Sequence, residues 1–350
     1  MWRTEEEDFA GAAVAAACAC TGIAAISRQS PWGIWVPMVT PMRAGSPDLT
    51  GAARLAERYV EAGANGLVIL GTTGEGSLLS THERQVFTAA VLEAVHGELP
   101  VMAGVGAVDT RAVCAQVAEL DAFDLAGYLV PPPYYLRPSD EGIVWHFNEV
   151  ARATGRPLML YNVPKRTGCA MSPALIRALL AHPQVSSVKE CDAGNLRALA
   201  GDPYATTLCG EDAAMLDHLL AGGAGVIAAS SHIRPDLFVR LLHLAQTGRL
   251  RAARALFAKL APLISLMFAE PNPAPVKAAL ALSGVISPET RLPLRPASSA
   301  LVQRLEEAMA LLPPPSMARD EHPAGRALAR IGRSHLKFSA SGKTPIWPLS

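Results

Sequence analysis

Along the chain from residue 33 to residue 248, short apolar runs alternate with amphipathic stretches. The runs cover 35–39, 66–70, 100–104, 126–130, 157–161, 185–189, 206–209 and 225–229. They are continuously apolar rather than alternating, as strands buried on both faces of a parallel sheet are. The stretches between them carry apolar residues at helical spacing. One runs through Leu55, Tyr59 and Val60 to a glycine stop at Ala62-Gly63; the others cover 81–95, 109–120, 139–151, 172–180, 212–220 and 235–245. Several open on Ser, Thr or Asp, side chains suited to cap a first helical turn. Eight such runs in succession, with helical stretches between them, predict an α/β fold, a closed (β/α)8 TIM barrel over 33–248. A doubly wound open sheet is the competing arrangement. The glycine fingerprint that such sheets use for dinucleotides is missing after every strand.

Residues 249–312 continue with helical periodicity and predict a C-terminal helical extension. The segment 313–350 is rich in Pro, Ser, Gly and Arg and reads as a tail. Its Gly342-Lys343-Thr344 lacks the earlier glycine and the leading strand of a phosphate loop. At the other end, 1–32 reads as an extension. Its alanine-rich run 10–27 follows Glu5, Glu6, Glu7 and Asp8, where a signal peptide would have a positive segment. The run is also weak for a membrane span.

Charge narrows the partners. Lys plus Arg and Asp plus Glu are both 31, and no basic stripe is visible, which sets nucleic-acid binding aside. The six cysteines are scattered, without C-x-x-C or zinc spacing, and the nine histidines form no metal motif. A reduced, cytoplasmic protein without a metal is the expectation. Only six of the 31 basic residues are lysines: 165, 189, 259, 277, 337 and 343.

In a barrel of this kind the active site lies at the C-terminal ends of the strands. Lys189 closes the run Val185-Ser186-Ser187-Val188 and would point into the barrel mouth. A free lysine is only about 0.04% neutral at pH 7. Desolvation raises that fraction and makes the amine a nucleophile toward carbonyls. A lysine paired with Glu190 or Glu211 is the plain structural alternative. Tyr161 closes the neighbouring strand and can pass protons there; a core tyrosine with a satisfied hydroxyl is its alternative. Gly71-Thr72-Thr73-Gly74 offers backbone N–H groups and two hydroxyls to a small anion, or is an ordinary turn. Arg166 could clamp a carboxylate through its planar fork, or sit in a surface ion pair. Tyr134-Tyr135, behind three prolines, could project toward a subunit contact. Together these suggest enamine chemistry on a keto acid.

The motifs Thr40-Pro41, Gly71-Thr72-Thr73-Gly74-Glu75, Pro133-Tyr134-Tyr135, Tyr161-Asn162-Val163-Pro164-Lys165-Arg166-Thr167-Gly168 and Val188-Lys189-Glu190 occur in order on the expected strands. So do Gly225-Val226-Ile227, the stretch Glu270-Pro271-Asn272-Pro273-Ala274-Pro275-Val276-Lys277 and Leu292-Pro293-Leu294. From about Gly33 to Leu312 the chain resembles the dihydrodipicolinate synthase and N-acetylneuraminate lyase family of pyruvate-dependent class I aldolases. Asn162 to Gly168 is similar to the synthase branch. The resemblance implies a lyase of lysine and diaminopimelate biosynthesis with no cofactor beyond a covalent lysine Schiff base with pyruvate. The enamine formed on Lys189 would attack aspartate semialdehyde, and cyclisation would release 4-hydroxy-tetrahydrodipicolinate. Tyr161, Thr72 and Tyr135 match the proton relay. Thr73, Arg166, Ile227 and Gly210 match substrate-binding positions, Thr73 for the pyruvate carboxylate and Arg166 for that of the aldehyde. Tyr135 would reach into a neighbouring subunit, which implies a homodimer or homotetramer. Partners are small molecules, with no nucleic acid and no membrane.

Some positions depart from the family pattern: Leu136, Gly76, Ser231-His232 and Cys191. The family's lysine-effector positions correspond to Thr81, Arg84, Val108 and Ala112, alongside a retained Tyr134. Apolar Val108 and Ala112 supply no side-chain hydrogen bond, so weak or absent lysine inhibition is expected. The competing functions are another pyruvate aldolase or hydratase-aldolase acting on a sugar acid or other aldehyde, and a catalytically silent barrel that senses a keto acid. A phosphate-binding isomerase would need the turn 222–225, which lies at the wrong end of its strand.

Overall fold

The computed structural model describes residues 30–314. The extension expected over 1–32 lies outside them except for its last three residues, as does all but the start of the tail expected over 313–350. Eight parallel strands close into a barrel: β1 (Gly33–Val36), β2 (Gly66–Ile69), β3 (Val101–Gly104), β4 (Gly127–Val130), β5 (Leu158–Asn162), β6 (Val185–Glu190), β7 (Thr207–Cys209) and β8 (Gly225–Ile227). Each strand pairs with the next in sequence, and β1 pairs with β8 in the register Gly33↔Gly225, so the sheet has no edge. The molecule is a (β/α)8 TIM barrel.

The helices begin where local chemistry satisfies their first N–H groups. In α1 (Leu49–Glu61), α2 (Thr81–Val95) and α3 (Thr110–Leu120) the capping side chains are Asp48, Ser80 and Asp109. Ser80 and Glu83 exchange bonds as a full capping box. Then come α4 (Asp140–Arg152), the single turn α5 (Pro164–Thr167), α6 (Pro173–Leu180), α7 (Ala193–Ala198), α8 (Met215–Leu220) and α9 (Pro235–Gln246). Beyond the barrel, α10 (Leu250–Leu266), α11 (Ala274–Leu282) and α12 (Ser299–Ala310) form the C-terminal extension.

Parity along the strands separates two cores. Outward residues such as Val36, Ile69, Ala103, Val130, Leu160 and Val188 pack under the helices. Inward residues fill the barrel: Trp35, Val68, Met102, Leu129, Met159, Leu208 and Ile227 form one cluster with Tyr161. On β6 the parity is broken once. Leu158 pairs with Val185, yet Met159 pairs with Ser187, so Ser186 is an extra residue. Val185 and Val188, three apart, therefore both join the outer core. Beyond the bulge, Lys189 falls in register with inward-facing Tyr161, and Glu190 with Asn162. A bulge that re-aims one side chain beside a site is a recurrent device.

Candidate active site

At the C-terminal mouth of the barrel lies a cavity of about 370 Å³. Thr72, Tyr161, Arg166, Tyr134, Asn272 and Glu75 belong to its wall. Lys189 is not a wall residue, but its Nζ lies 4.5 Å from the centroid of the Tyr161 ring, which is. Only 7% of Lys189 is exposed. Among the described residues it forms no salt bridge, so the plain alternative of a structural ion pair does not hold. The two carboxylates proposed for that pairing are engaged elsewhere. Glu190 points to the outer side, where Asn162 Nδ2 donates to both its oxygens at 2.9 and 2.8 Å. Asn195 Nδ2 and the Asp192 N–H also donate to it. Glu211 pairs with Lys165 at 3.3 Å.

Three other groups crowd the lysine. Gly210, at the end of β7, leaves room for it: a Cβ there would lie 2.8 Å from Lys189 Cε and 2.5 Å from Cys191 Sγ. Asp212 is buried and accepts from the Ser230 and Ala229 N–H groups at 2.7 and 3.3 Å. Burial pushes its carboxyl up to about 6, opposed by the Ser230 bonds and by the charge of Lys189. Burial pushes the Cys191 thiol up to about 12, which favours the protonated form at neutral pH.

Tyr161 is buried in the barrel cluster, and its hydroxyl bonds to no described residue. The Thr72 hydroxyl is likewise free of described partners. Arg166 is exposed on α5 at the cavity wall and, among the described residues, forms no ion pair. Thr73 is buried behind the wall, where its Oγ1 accepts from Asn272 Nδ2 at 2.9 Å. Ile227 is buried at the end of β8 in the inner cluster. Tyr135 stands apart from the cavity: it is 84% exposed, in a left-handed conformation at φ 73°. The turn Gly71–Gly74 spends none of the Thr72, Thr73 and Gly74 N–H groups on backbone acceptors. Gly76, one of the departures, is forced by packing, since a Cβ there would meet the Leu70 carbonyl oxygen at 1.9 Å.

Sequence reasoning named the stretch 270–277 without giving Asn272 or Lys277 a role. Lys277 is buried in an ion pair with Glu75, and Asn272 lines the cavity. Asp212 has no role from sequence either; a carboxylate in the short segment Gly210-Glu211-Asp212 that follows β7 was the available signal.

The profile of the dihydrodipicolinate synthetase family matches residues 30–311. The 4-hydroxy-tetrahydrodipicolinate synthase of Thermodesulfovibrio yellowstonii is 36% identical over 282 residues, 79% of this chain and 97% of that protein. That of Acidiphilium cryptum is 37% identical over 286 residues, with 79% and 97% covered. Among solved structures, the chloride-inhibited dihydrodipicolinate synthase from Acinetobacter baumannii, complexed with pyruvate, superposes with a TM-score of 0.78 at 31% identity. It covers 81% of this chain and 99% of that one. With a lysine and a tyrosine side by side at the barrel mouth and the match running through the whole barrel and its extension, this chain belongs to the dihydrodipicolinate synthetase family.

Proposed function

We propose that this chain is a Schiff-base-forming lyase that condenses pyruvate with L-aspartate 4-semialdehyde to give 4-hydroxy-tetrahydrodipicolinate. The observation that carries the reading is Lys189: an amine at a barrel strand end, mostly buried, free of carboxylate partners and in register with Tyr161. Its Nζ attacks the keto carbon of pyruvate, and loss of water leaves an iminium. The iminium nitrogen draws electrons from the methyl group, which loses a proton to give the enamine. The enamine carbon attacks the aldehyde, whose oxygen takes up a proton. The substrate's own amine then attacks the iminium carbon, closes the ring and frees Lys189. The electron sink is the lysine itself, so no cofactor is required.

Tyr161 is suited to carry the protons, since its hydroxyl is uncommitted at the cavity wall. Thr72 offers a second free hydroxyl beside it, and the spare N–H groups of the turn suit the pyruvate carboxylate. Thr73 would act with them, its hydroxyl acceptor side already occupied by Asn272. Gly210 would flank the lysine from the end of the neighbouring strand β7, while Ile227 faces the barrel interior from β8, one strand further on. Arg166 supports the choice of aldehyde: an unpaired guanidinium at the wall has a clear use only where the second substrate carries a carboxylate.

The relay needs Tyr135 as its third member, and within one copy Tyr135 faces outward. Leu136 beside it is 62% exposed. A second copy that buries this pair and receives Tyr135 at its own cavity supports a homodimer, or a homotetramer made of two. Among the described residues no helix is long and apolar enough to cross a membrane; a cytoplasmic enzyme fits the chemistry.

The reading is tested by incubating the protein with both substrates and following the product by mass. Product from aspartate semialdehyde at a rate far above that from aldehydes without a carboxylate is expected. Faster turnover of a sugar-derived aldehyde would transfer the reading to another pyruvate aldolase.

A further inference from the structure

The turn that presents Thr72 and Thr73 is poorly held by its own backbone. Its internal bonds are long: Glu75 N–H to Thr72 O at 3.3 Å and Gly76 N–H to Gly71 O at 3.4 Å. It is also bracketed by two non-glycine residues in the left-handed region, Leu70 at φ 58° and Glu75 at φ 54°. Such residues persist only where the surroundings over-determine them. Here most of the determination comes from the C-terminal extension. Asn272 Nδ2 donates to Thr73 Oγ1. The Arg291 N–H donates to Glu75 Oε2 at 2.8 Å. Lys277, on α11, forms an ion pair with Glu75 in which both side chains are fully buried. The remaining reach of the ammonium goes to the Glu289 carbonyl at 2.8 Å. From the barrel itself, only the Thr40 hydroxyl grips the turn, donating to Gly74 O at 2.6 Å.

A buried ion pair is weak evidence of stability, because hydrophobic replacements of the same volume are often neutral or better. A fully buried lysine that reaches the cavity only through the wall residue Glu75 therefore needs another reason to be here. We propose that Lys277 is a positioning residue for the keto-acid site: through Glu75 it holds the two-threonine turn in the conformation that presents its hydroxyls and N–H groups to the pyruvate carboxylate. The inference rests on the pyruvate reading above. Removing the ammonium leaves Glu75 buried and uncompensated, and the turn relaxes toward an unstrained conformation. Pyruvate binding and imine formation then suffer, whereas the aldehyde, gripped by Arg166 on α5, does not feel the change.

The test compares Lys277→Met, Glu75→Gln and the double variant with wild type. Each is assayed for KM toward pyruvate and toward aspartate semialdehyde, for the rate of borohydride trapping, and for Tm. Lys277→Met should raise the pyruvate KM about tenfold or more, the scale of a lost charged bond, and leave the aldehyde KM within about twofold on the same scale. Glu75→Gln, which keeps the shape of the pair, should move pyruvate KM in the same direction and serves if Lys277→Met does not fold. The double variant, with no buried charge, should recover Tm but not the pyruvate KM. In a Thr73→Val background, Lys277→Met should add little further loss. A Lys277→Met protein with lowered Tm and unchanged pyruvate KM would show a purely structural pair, as would a double variant that recovers both. Both would overturn the inference. Absence of any pyruvate adduct on wild type would instead sink the pyruvate reading itself.

Discussion

Gly210 sits where Lys189 has least room, and replacing it by alanine tests whether that room is functional. The new Cβ would lie 2.5 Å from Cys191 Sγ, 2.8 Å from Lys189 Cε and 3.0 Å from Lys189 Cγ. Separations that short are not sustained between such atoms, so either the β7 end or the lysine moves. Overpacking of a tight interior costs about 1–3 kcal/mol. The yielding group is the lysine stem, a long flexible chain met at two of its atoms, whose Nζ faces the tyrosine ring. A displacement of about 1 Å at a reacting atom costs on the order of a hundredfold in rate. Gly210→Ala is therefore expected to lose modest stability and roughly two orders of magnitude in imine formation. The assay is the rate of borohydride-trapped pyruvate adduct by intact mass, alongside thermal unfolding. Adding Cys191→Ala removes the shortest contact but neither lysine contact, so it should return stability without returning the rate. A Gly210→Ala protein that traps pyruvate at the wild-type rate would refute the reasoning, since the lysine would then have space the packing denies it.

Other expectations follow from the same geometry. Arg166→Ala should raise the KM for aspartate semialdehyde, with a loss of about 1.5–3 kcal/mol in kcat/KM, and leave pyruvate trapping intact; equal losses for a carboxylate-free aldehyde would count against the clamp. His232 is buried and neutral, its Nε2 accepting from the Val39 N–H at 3.1 Å and its Nδ1–H donating to Ala229 O at 2.7 Å. Desolvation holds its pKa down at about 4, below the roughly 6.5 of an unfolded histidine. The unfolded chain thus binds the proton first, and stability that is complete above pH 6.5 drains as pH falls toward 4. Denaturant unfolding at pH 7.5 and 5 should differ by about 2 kcal/mol from this residue, and His232→Asn should flatten that difference; an unchanged slope would rule the residue out. Lysine should inhibit weakly or not at all, because Val108 and Ala112 offer no polar side chain and Arg84 is tied to Glu119; strong inhibition in a titration would contradict this.

Much of the barrel was legible because both-face burial leaves continuous apolar runs, and every expected run overlaps a strand. The first was misjudged: 35–39 was expected, and the strand is Gly33–Val36. Pro37 has no N–H for the ladder, and the buried apolar pair Met38-Val39 continues the run past the strand. Helix α7 was missed because it is six residues long and buries only Leu196, too short to show a period. The bulge on β6 was invisible for a related reason. Strict alternation would put Val185 and Lys189 on one face, and only the pairing with β5 shows that they part.

Of the candidate site, Lys189, Tyr161, Thr72 and Arg166 are singled out by strand-end position and motif, which are local properties, and they lie at or beside the cavity. The support behind them could not. Thr73 and Asn272 are 199 residues apart in sequence, and Glu75 and Arg291 are 216. No local pattern pairs groups so distant; closure of the barrel and the return of the extension bring them together.

The proposed reaction runs through a Schiff base on Lys189. Intact-mass spectrometry after borohydride reduction with pyruvate tests it most directly, with Lys189→Ala beside wild type. A single pyruvate adduct on the wild-type chain and none on the folded variant is the expected result. No adduct on folded wild type, or an equal adduct on both, would contradict the account; the first outcome would favour a silent keto-acid-binding barrel.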